Sequence, residues 1–316
     1  MKKYDAVALG ELLIDFTNEG SGSEGNPLFE ANPGGAPCNV LSMLSMLHRK
    51  TAFIGRVGND MFGRQLKETL ELVNIDPVGL SFDEKVRTTL AFVSRTKDND
   101  RDFSFYRDPG ADMMLSKEDV PLFLLKHTKL FHFGTLSMSR LCSEEATKTA
   151  VSVAREAGAL ISFDPNIRQA LWEDKEKLRS AISYGLSVSD ILKLSDDEIV
   201  WYTKEEDIEK AAHALKKETG AKLILLTLGK NGSIAYYNDS RVFSPAVSCD
   251  EVVDTTGAGD CFLGCCLDIV LKYGIDDLSD DVLFKMLSFA SKAASIVITR
   301  KGALLSMPEV THSDLF

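Results

Sequence analysis

Two hydrophobic periods run through the chain and largely keep apart. Near-continuous apolar runs bounded by polar clusters read as strands buried on both faces. The clearest is LILLTL at 223–228, and shorter ones stand at 160–163 and 190–194. Between them the apolar residues recur at the spacing of one helix face. A helix is predicted from near Ser143, with Glu144 and Glu145 in its first turn, where the macrodipole favours anions. It buries Ala146, Ala150, Ala154 and Ala157 and stops at Gly158. Another is predicted to open on a capping box, Thr203-x-x-Glu206, to carry Ile208, Ala211, Ala212 and Leu215 on one face, and to end at Gly220. A last long helix shows Leu283, Leu287, Ala290, Ala294 and Val297. The N-terminal run MKKYDAVALGELLIDF is interrupted by Asp5, Glu11 and Asp15, and no small-residue cleavage site follows, so it reads as a first strand rather than a signal peptide. Alternating strands and helices predict an α/β fold, a doubly wound and mostly parallel sheet flanked by helices.

Two stretches break the rhythm. Residues 86–107 hold VRTTLAFVS, a polar turn KDNDRD, and FSFYR, a hairpin signal. Residues 16–33 are rich in Gly, Ser, Asn and Glu and can join the same hairpin. The expectation is one domain over residues 1–316, with a small β-sheet lid from about 16–33 and 86–108 inserted in it. The alternative is a hairpin that extends the main sheet. No internal repeat or Pro/Ser linker divides the chain.

Composition narrows the class. A chain of 316 residues with 44% hydrophobic and 26% charged residues is ordinary for a globular protein. The formal net charge of -11 repels phosphodiester backbones, so no nucleic-acid partner is expected. No apolar run is long enough to span a membrane. The cysteines Cys38, Cys142, Cys249, Cys261, Cys265 and Cys266 show no C-x-x-C spacing and read as reduced thiols in a cytoplasmic protein, the last three as core packing. His48, His127, His132, His213 and His312 form no metal-ligand spacing.

The strongest chemical signal is Asp254-Thr255-Thr256-Gly257-Ala258-Gly259-Asp260 before the apolar stretch CFLGCCLDIVLKYG. Small residues at 257–259 let backbone N–H groups converge, and the start of a buried helix adds partial positive charge, which together make an anion site. Asp260 in the first turn is placed to take a proton from an attacking hydroxyl. The plainer alternative is a helix N-terminal carboxylate after a glycine turn. The motif is neither a Walker A loop nor a dinucleotide G-x-G-x-x-G. Asp15, in the apolar segment LLIDF, is a carboxylate that needs a partner, either a ligand hydroxyl or a strand end it caps. Asn39 offers a donor and an acceptor, or caps the helix VLSMLSML. Gly34 and Gly35 permit close approach of the backbone to a ligand.

DTTGAGD resembles the C-terminal signature of the ribokinase-like (PfkB) carbohydrate kinases. Pro33-Gly34-Gly35-Ala36-Pro37-Cys38-Asn39, then Gly55-Arg56-Val57-Gly58-Asn59-Asp60 and Gly63, resemble the N-terminal one. The likeness runs from Gly10 to Pro308, and within the family it is strongest to fructokinases, through FYRDPGAD (105–112), FDPNIR (163–168) and KLSDDE (193–198). The resemblance implies an ATP-dependent sugar kinase that phosphorylates the 6-hydroxyl of fructose, with Mg²⁺ and K⁺. It implies Asp260 as base, and Gly257, Ala258 and Gly259 as an anion hole helped by Arg168. Asp15, Gly34, Gly35, Asn39 and the lid residue Arg107 would hold the sugar. Arg107 has a plainer alternative as a surface hairpin arginine. Lys193, Glu198, Thr227, Gly229 and Gly232, with Gly257 and Gly259, would meet ATP. Asp164 and Asn166 would organise the site, and Lys230 is a site lysine or a solvated one. Asp254 and Thr256, together with ITRKGALLSMP (298–308), would hold K⁺ mainly by backbone, and Glu198 would serve Mg²⁺, directly or through water. Ser195 stands where the family's Asn-x-x-Glu element has Asn. A homodimer through the lid is expected. The alternatives are kinases of the same family for 2-keto-3-deoxygluconate, ribose or a nucleoside, a non-catalytic sugar or nucleotide sensor, and a structural protein assembled through the lid.

Overall fold

The LILLTL run becomes a strand whose side chains alternate between two cores. Leu223 and Leu225 face one and Ile224 and Leu226 the other, which is why the run has no polar face. The computed structural model describes residues 2–95, 101–249 and 251–311, and at 94, 95 and 101–103 only the backbone. Most of the KDNDRD turn, the Phe103 side chain and His312 lie outside the described residues.

The strands are β1 (Tyr4–Leu9), β2 (Leu13–Ser21), β3 (Pro27–Gly34), β4 (Thr51–Gly58), β5 (Ile75–Asp83), β6 (Leu90–Arg95), β7 (Arg101–Tyr106), β8 (Thr128–Gly134), β9 (Leu160–Asp164), β10 (Ile191–Ser195), β11 (Leu223–Thr227), β12 (Ser233–Tyr237) and β13 (Ser240–Ser244). The helices are α1 (Ala36–Met46), α2 (Met61–Leu72), α3 (Leu122–Lys126), α4 (Leu141–Glu156), α5 (Lys175–Val188), α6 (Asp196–Thr203), α7 (Ile208–Glu218), α8 (Ala258–Tyr273) and α9 (Asp280–Val297). The large sheet runs β13-β12-β11-β10-β9-β8-β1-β4-β5. Pairing is parallel from β11 to β5, and β12 and β13 close one edge antiparallel. Helices α1, α2, α8 and α9 cover one face, and α3 to α7 cover the other. This is the expected doubly wound α/β architecture.

A separate small sheet has the order β3-β2-β6-β7, with β2–β3 and β6–β7 antiparallel and β2–β6 parallel. The hairpin at 86–107 therefore does not extend the main sheet. Phe16 stacks on Phe92 at 4.7 Å and meets Phe62 of α2 edge-on at 5.6 Å, so aromatic packing seats the small sheet on the body.

Three local expectations are corrected. The N-terminal run is two strands, β1 in the large sheet and β2 in the small one, joined through Gly10–Leu12. Thr203-x-x-Glu206 caps no helix. Thr203 ends α6, Lys204 takes a left-handed φ of 62°, and Asp207 caps α7 by accepting from the N–H groups of Glu209 and Lys210. Helix α4 begins at Leu141 rather than near Ser143. The GSGSEG stretch at 20–25 has dinucleotide-loop spacing but spans the end of β2 and the turn into β3, with no helix behind it to receive a phosphate. Cys261, Cys265 and Cys266 are free and buried along α8, in the core. No helix among the described residues is long and apolar enough to cross a membrane.

Candidate active site

The parallel strands β1, β9, β10 and β11 all end on one side of the sheet, where open α/β folds place ligands. A cavity of about 920 Å³ lies there, between these ends and the small sheet. Asp15, Gly35, Asn39, Arg168, Lys193, Ser195, Glu198, Thr227, Asp254, Thr256, Gly257, Gly259 and Asp260 all line it. Residues up to 245 apart in sequence are thus brought to one wall.

Asp260 sits in the first turn of α8 and is buried. Its Oδ2 accepts from Asn39 Nδ2 at 2.7 Å. Burial pushes its carboxyl up to about 6, with the charge of Asp164 adding, while Asn39, Lys193 and Arg168 pull it back. Asn39 lies inside α1, which Gly35 caps, so Asn39 is not an N-cap. Its Oδ1 is buried with no hydrogen-bond partner among the described residues, an acceptor left for a ligand donor.

Gly257 opens α8 with φ 80°, and a Cβ there would lie 2.7 Å from Ala303 Cβ. A Cβ on Gly259 would lie 2.9 Å from Lys193 Nζ, so the ammonium rests against the bare backbone of the motif. Ala258, the first residue of α8, is half-buried beside the cavity wall rather than on it. Lys193, on β10, donates to Asp164 Oδ2 at 2.8 Å. Burial works against its charge, but Asp164, Glu198 and Asp260 outweigh it and hold the ammonium well above its usual value. Asp164 also accepts from Asn166 N–H at 3.1 Å, which shapes the loop that carries Arg168. The Arg168 side chain is exposed, and its charge acts on both Asp15 and Asp260.

Asp15 stands opposite Asn32 where β2 pairs with β3. A Cβ on Gly34 would fall 2.5 Å from Asp15 Oδ2, so Gly34 makes room for the carboxylate without itself lining the cavity. Burial raises Asp15 to about 7, opposed by Arg168 and reinforced by Asp254.

Glu198 is held on both oxygens. Oε1 accepts from Ile167 N–H at 2.7 Å and Oε2 from Ser195 N–H at 2.9 Å, while Ser195 Oγ accepts from Glu198 N–H at 3.2 Å. Ser195 and Glu198 form the capping box of α6, and Glu198 braces the loop after β9 against the end of β10. Asp254 Oδ1 accepts from the N–H and Oγ1–H of Thr256 at 2.9 and 2.7 Å. Val253 and Asp254 N–H both donate to the Ile298 carbonyl, which lays 298–303 beside this turn.

Some expected residues fall elsewhere. Thr227 reaches the cavity at the end of β11, but Gly229 and Gly232, with φ 52° and 109°, shape the turn beyond it, and Lys230 is exposed. Arg107 is neither a surface arginine nor part of the cavity wall. It is buried, with Nε and Nη2 on Asp112 Oδ2 at 2.8 and 2.7 Å and Nη2 also on the Leu136 carbonyl. His132 is buried beside Ser162 Oγ, and burial pushes it down to about 3, so it is a neutral core group. Among the described residues no group of three or more His, Cys, Asp or Glu side chains is placed to hold a metal ion.

Several cavity residues escaped the sequence reading, among them Asn32, Gln169 and a buried carboxylate, Glu11. Glu11 lines the cavity, is buried, and accepts from Ala36 N–H at 3.0 Å. Its signal was the one that marked Asp15, a carboxylate in an apolar run.

The wall thus offers a carboxylate base, helix N-terminal N–H groups for an anion, and carboxylate and amide groups for hydroxyls. Comparison with known proteins points the same way. The family described as pfkB family carbohydrate kinase matches residues 3–310. The chain is 40% identical over 309 residues to probable fructokinase-2 of Arabidopsis thaliana, covering 96% of this chain and 92% of the relative. Among solved structures, the fructokinase with bound ATP from Xylella fastidiosa superposes with a TM-score of 0.88 at 28% identity, over 99% of this chain and 97% of that one. A fructokinase double mutant from Vibrio cholerae O395, in a form with fructose, ADP and potassium ion bound, gives 0.86 at 27%, over 100% and 98%.

Proposed function

The chain belongs to the pfkB family of carbohydrate kinases, and from that premise we propose that it transfers the γ-phosphoryl group of ATP to the 6-hydroxyl of D-fructose. The observation that carries the reading is the contact of Asn39 with Asp260 at the mouth of the α8 N-terminus, inside a cavity that Asp15 also lines. The sugar lies between Asp15 and Asp260, with Asn39 Oδ1 accepting from one of its hydroxyls. Asp260 takes the proton of the 6-hydroxyl as its oxygen bonds to the γ-phosphorus and ADP leaves. The N–H groups of Gly257, Ala258 and Gly259, with Arg168, stabilise the charge on the group in flight. ATP runs from there along Lys193, Thr227 and the 298–303 segment, with Gly229 and Gly232 shaping the loop behind it. The small sheet serves as a lid that keeps water from the phosphoryl group. Arg107 supports the sugar site from behind its wall.

Mg²⁺ would arrive with ATP and neutralise charge on its phosphates. Each oxygen of Glu198 already accepts one backbone N–H, which orients the carboxylate and favours its meeting the ion through water. The turn at Asp254–Thr256 and the neighbouring 298–303 segment suit a monovalent cation held by carbonyl groups, for which K⁺ is the choice. Six free cysteines support a cytoplasmic setting. Leu28 and Phe29 of β3 and Tyr106 of β7 leave apolar surface on the lid that a second copy would cover. Sedimentation of the wild type and of Phe29→Ser tests this, and a wild-type monomer at micromolar concentration sinks it.

The test of function is ADP release with ATP, Mg²⁺ and K⁺ on fructose, ribose, 2-keto-3-deoxygluconate, glucose and adenosine. Fructose is expected to give the highest kcat/KM. Dominance of another substrate keeps the Asp260 chemistry and overturns the choice of sugar.

A further inference from the structure

The small sheet joins the body through four chain crossings, residues 10–12, 35–36, 84–89 and 107–112. All four meet in one buried polar cluster beside the cavity. Glu11 ties the first crossing to the second through its 3.0 Å bond from Ala36 N–H. Asp112 ties the third to the fourth, accepting from Thr89 Oγ1–H on one oxygen and from Arg107 on the other. Ile14 N–H, just past the first crossing, donates to the Thr89 carbonyl of the third at 3.2 Å, and Ala111 N–H donates to the Arg87 carbonyl at 2.9 Å, a further bond between the third and fourth. The Arg107 charge acts on Glu11 in favour of its ionised form, Asp112 opposes it, and the buried Cys38 thiol of α1 faces it as well. Of the cluster's side chains, Glu11 is the one that lines the cavity.

A buried carboxylate is costly unless paired and hydrogen-bonded. The chemistry assigned to Asp260 makes no use of this one. Its position explains it better. Asp15 lies four residues further along the same segment, in register with Asn32 of β3 and Ala91 of β6. A shift at the root of the sheet therefore moves Asp15 directly. We propose that Glu11 is a positioning residue for the sugar: with Arg107 and Asp112 it sets how the small sheet meets the body, and hence where Asp15 stands over the cavity.

This inference rests on the carbohydrate-kinase reading, and its test keeps the two apart. Sugar KM, sugar Kd by calorimetry without ATP, and kcat are measured for the full chain and for Glu11→Gln at about pH 8 and pH 6. Gln keeps an acceptor for Ala36 N–H and removes the charge that faces Arg107. At pH 8 the variant should raise sugar KM and Kd about five- to tenfold, with kcat within about twofold and ATP KM unchanged. Burial pushes Glu11 up to about 7, so at pH 6 the wild type carries the proton and resembles Gln, and the ratio should fall toward one. Asp15 titrates in the same range, but in both proteins, so it cancels from the ratio. A pH-independent ratio, or a loss of kcat at constant KM, overturns the proposal. If Glu11→Gln does not fold, Arg107→Lys, which keeps the charge but loses the fork on Asp112 and Leu136, must raise sugar KM and Kd with kcat held, and unchanged values overturn the proposal. Wild-type sugar binding without turnover sinks the kinase reading alone.

Discussion

Asp260 shows how one residue gains its chemistry from its neighbours. Its place in the first turn of α8 gives it a favourable dipole, while burial and the nearby Asp164 hold back its ionisation. Asp260→Asn keeps the shape and the Asn39 contact but removes the proton acceptor. It should lower kcat by roughly 10²–10⁴-fold while ATP and fructose Kd, read by calorimetry, stay within a few-fold. Retained turnover would remove Asp260 as the base. In the wild type, kcat/KM for the sugar should decline as pH falls through about 7 and then about 6, where Asp15 and Asp260 take up protons. A flat profile from about pH 8 to 5 would count against both as ionised groups. Asp260 was legible as a candidate because it follows a glycine turn that opens a helix, and Asp15 because a carboxylate among apolar residues is costly and needs a reason. The same reasoning reaches Glu11, which a stricter use of it would have singled out. For Arg107 the resemblance implied a residue that holds the sugar, but its guanidinium is engaged by Asp112 and the Leu136 carbonyl.

At the scale of elements, the α6 terminus explains a departure from the family pattern. Ser195 stands where the pattern has Asn, and both residue types are good N-caps. Its Oγ accepts from Glu198 N–H, and the Glu198 carboxylate returns a bond to Ser195 N–H while bracing Ile167. Ser195→Ala should cost about 1 kcal/mol in urea unfolding, and Ser195→Asn should stay within about 0.5 kcal/mol of wild type. An equal loss in both variants would show that the hydroxyl does more than cap. The Thr203–Glu206 motif has the same spacing and caps no helix, because Asp207 lies four residues beyond Thr203, directly before α7, and claims the N–H groups of Glu209 and Lys210. Spacing alone cannot choose between overlapping caps. Whichever residue has the right backbone geometry wins.

Over the whole molecule, buried ionisable groups make stability depend on pH. Burial raises Glu11 and Asp15 to about 7 and Asp260 to about 6. The folded state then binds more protons than the unfolded chain between about pH 4 and 7, so these groups lose stability as pH rises through that range. His132 works the other way. Burial lowers it to about 3, so its contribution is lost as pH falls below its unfolded value of about 6.5. The net charge of -11 adds repulsion at high pH. With three such carboxyls against one histidine, the ligand-free protein should therefore lose Tm as pH rises from about 5 to 8, read by differential scanning calorimetry. A Tm that still climbs from pH 6.5 to 8 would contradict the burial of these carboxyl groups.

The sequence by itself determined the alternation of strands and helices, the doubly wound class and the glycine turn that opens α8. Each of these follows from local periodicity or from a motif within one turn of backbone. Tertiary structure alone decided that the N-terminal apolar run splits between two sheets, since both strands look alike until their partners are known. It also decided that Asn39 meets Asp260 across 221 residues of chain and that Glu198 spends both oxygens on backbone. The convergence of the small sheet's four crossings on Glu11, Thr89, Arg107 and Asp112 is of the same kind. Such contacts depend on which groups remain unsatisfied after the chain has packed, and one sequence read by its local pattern cannot say which those are.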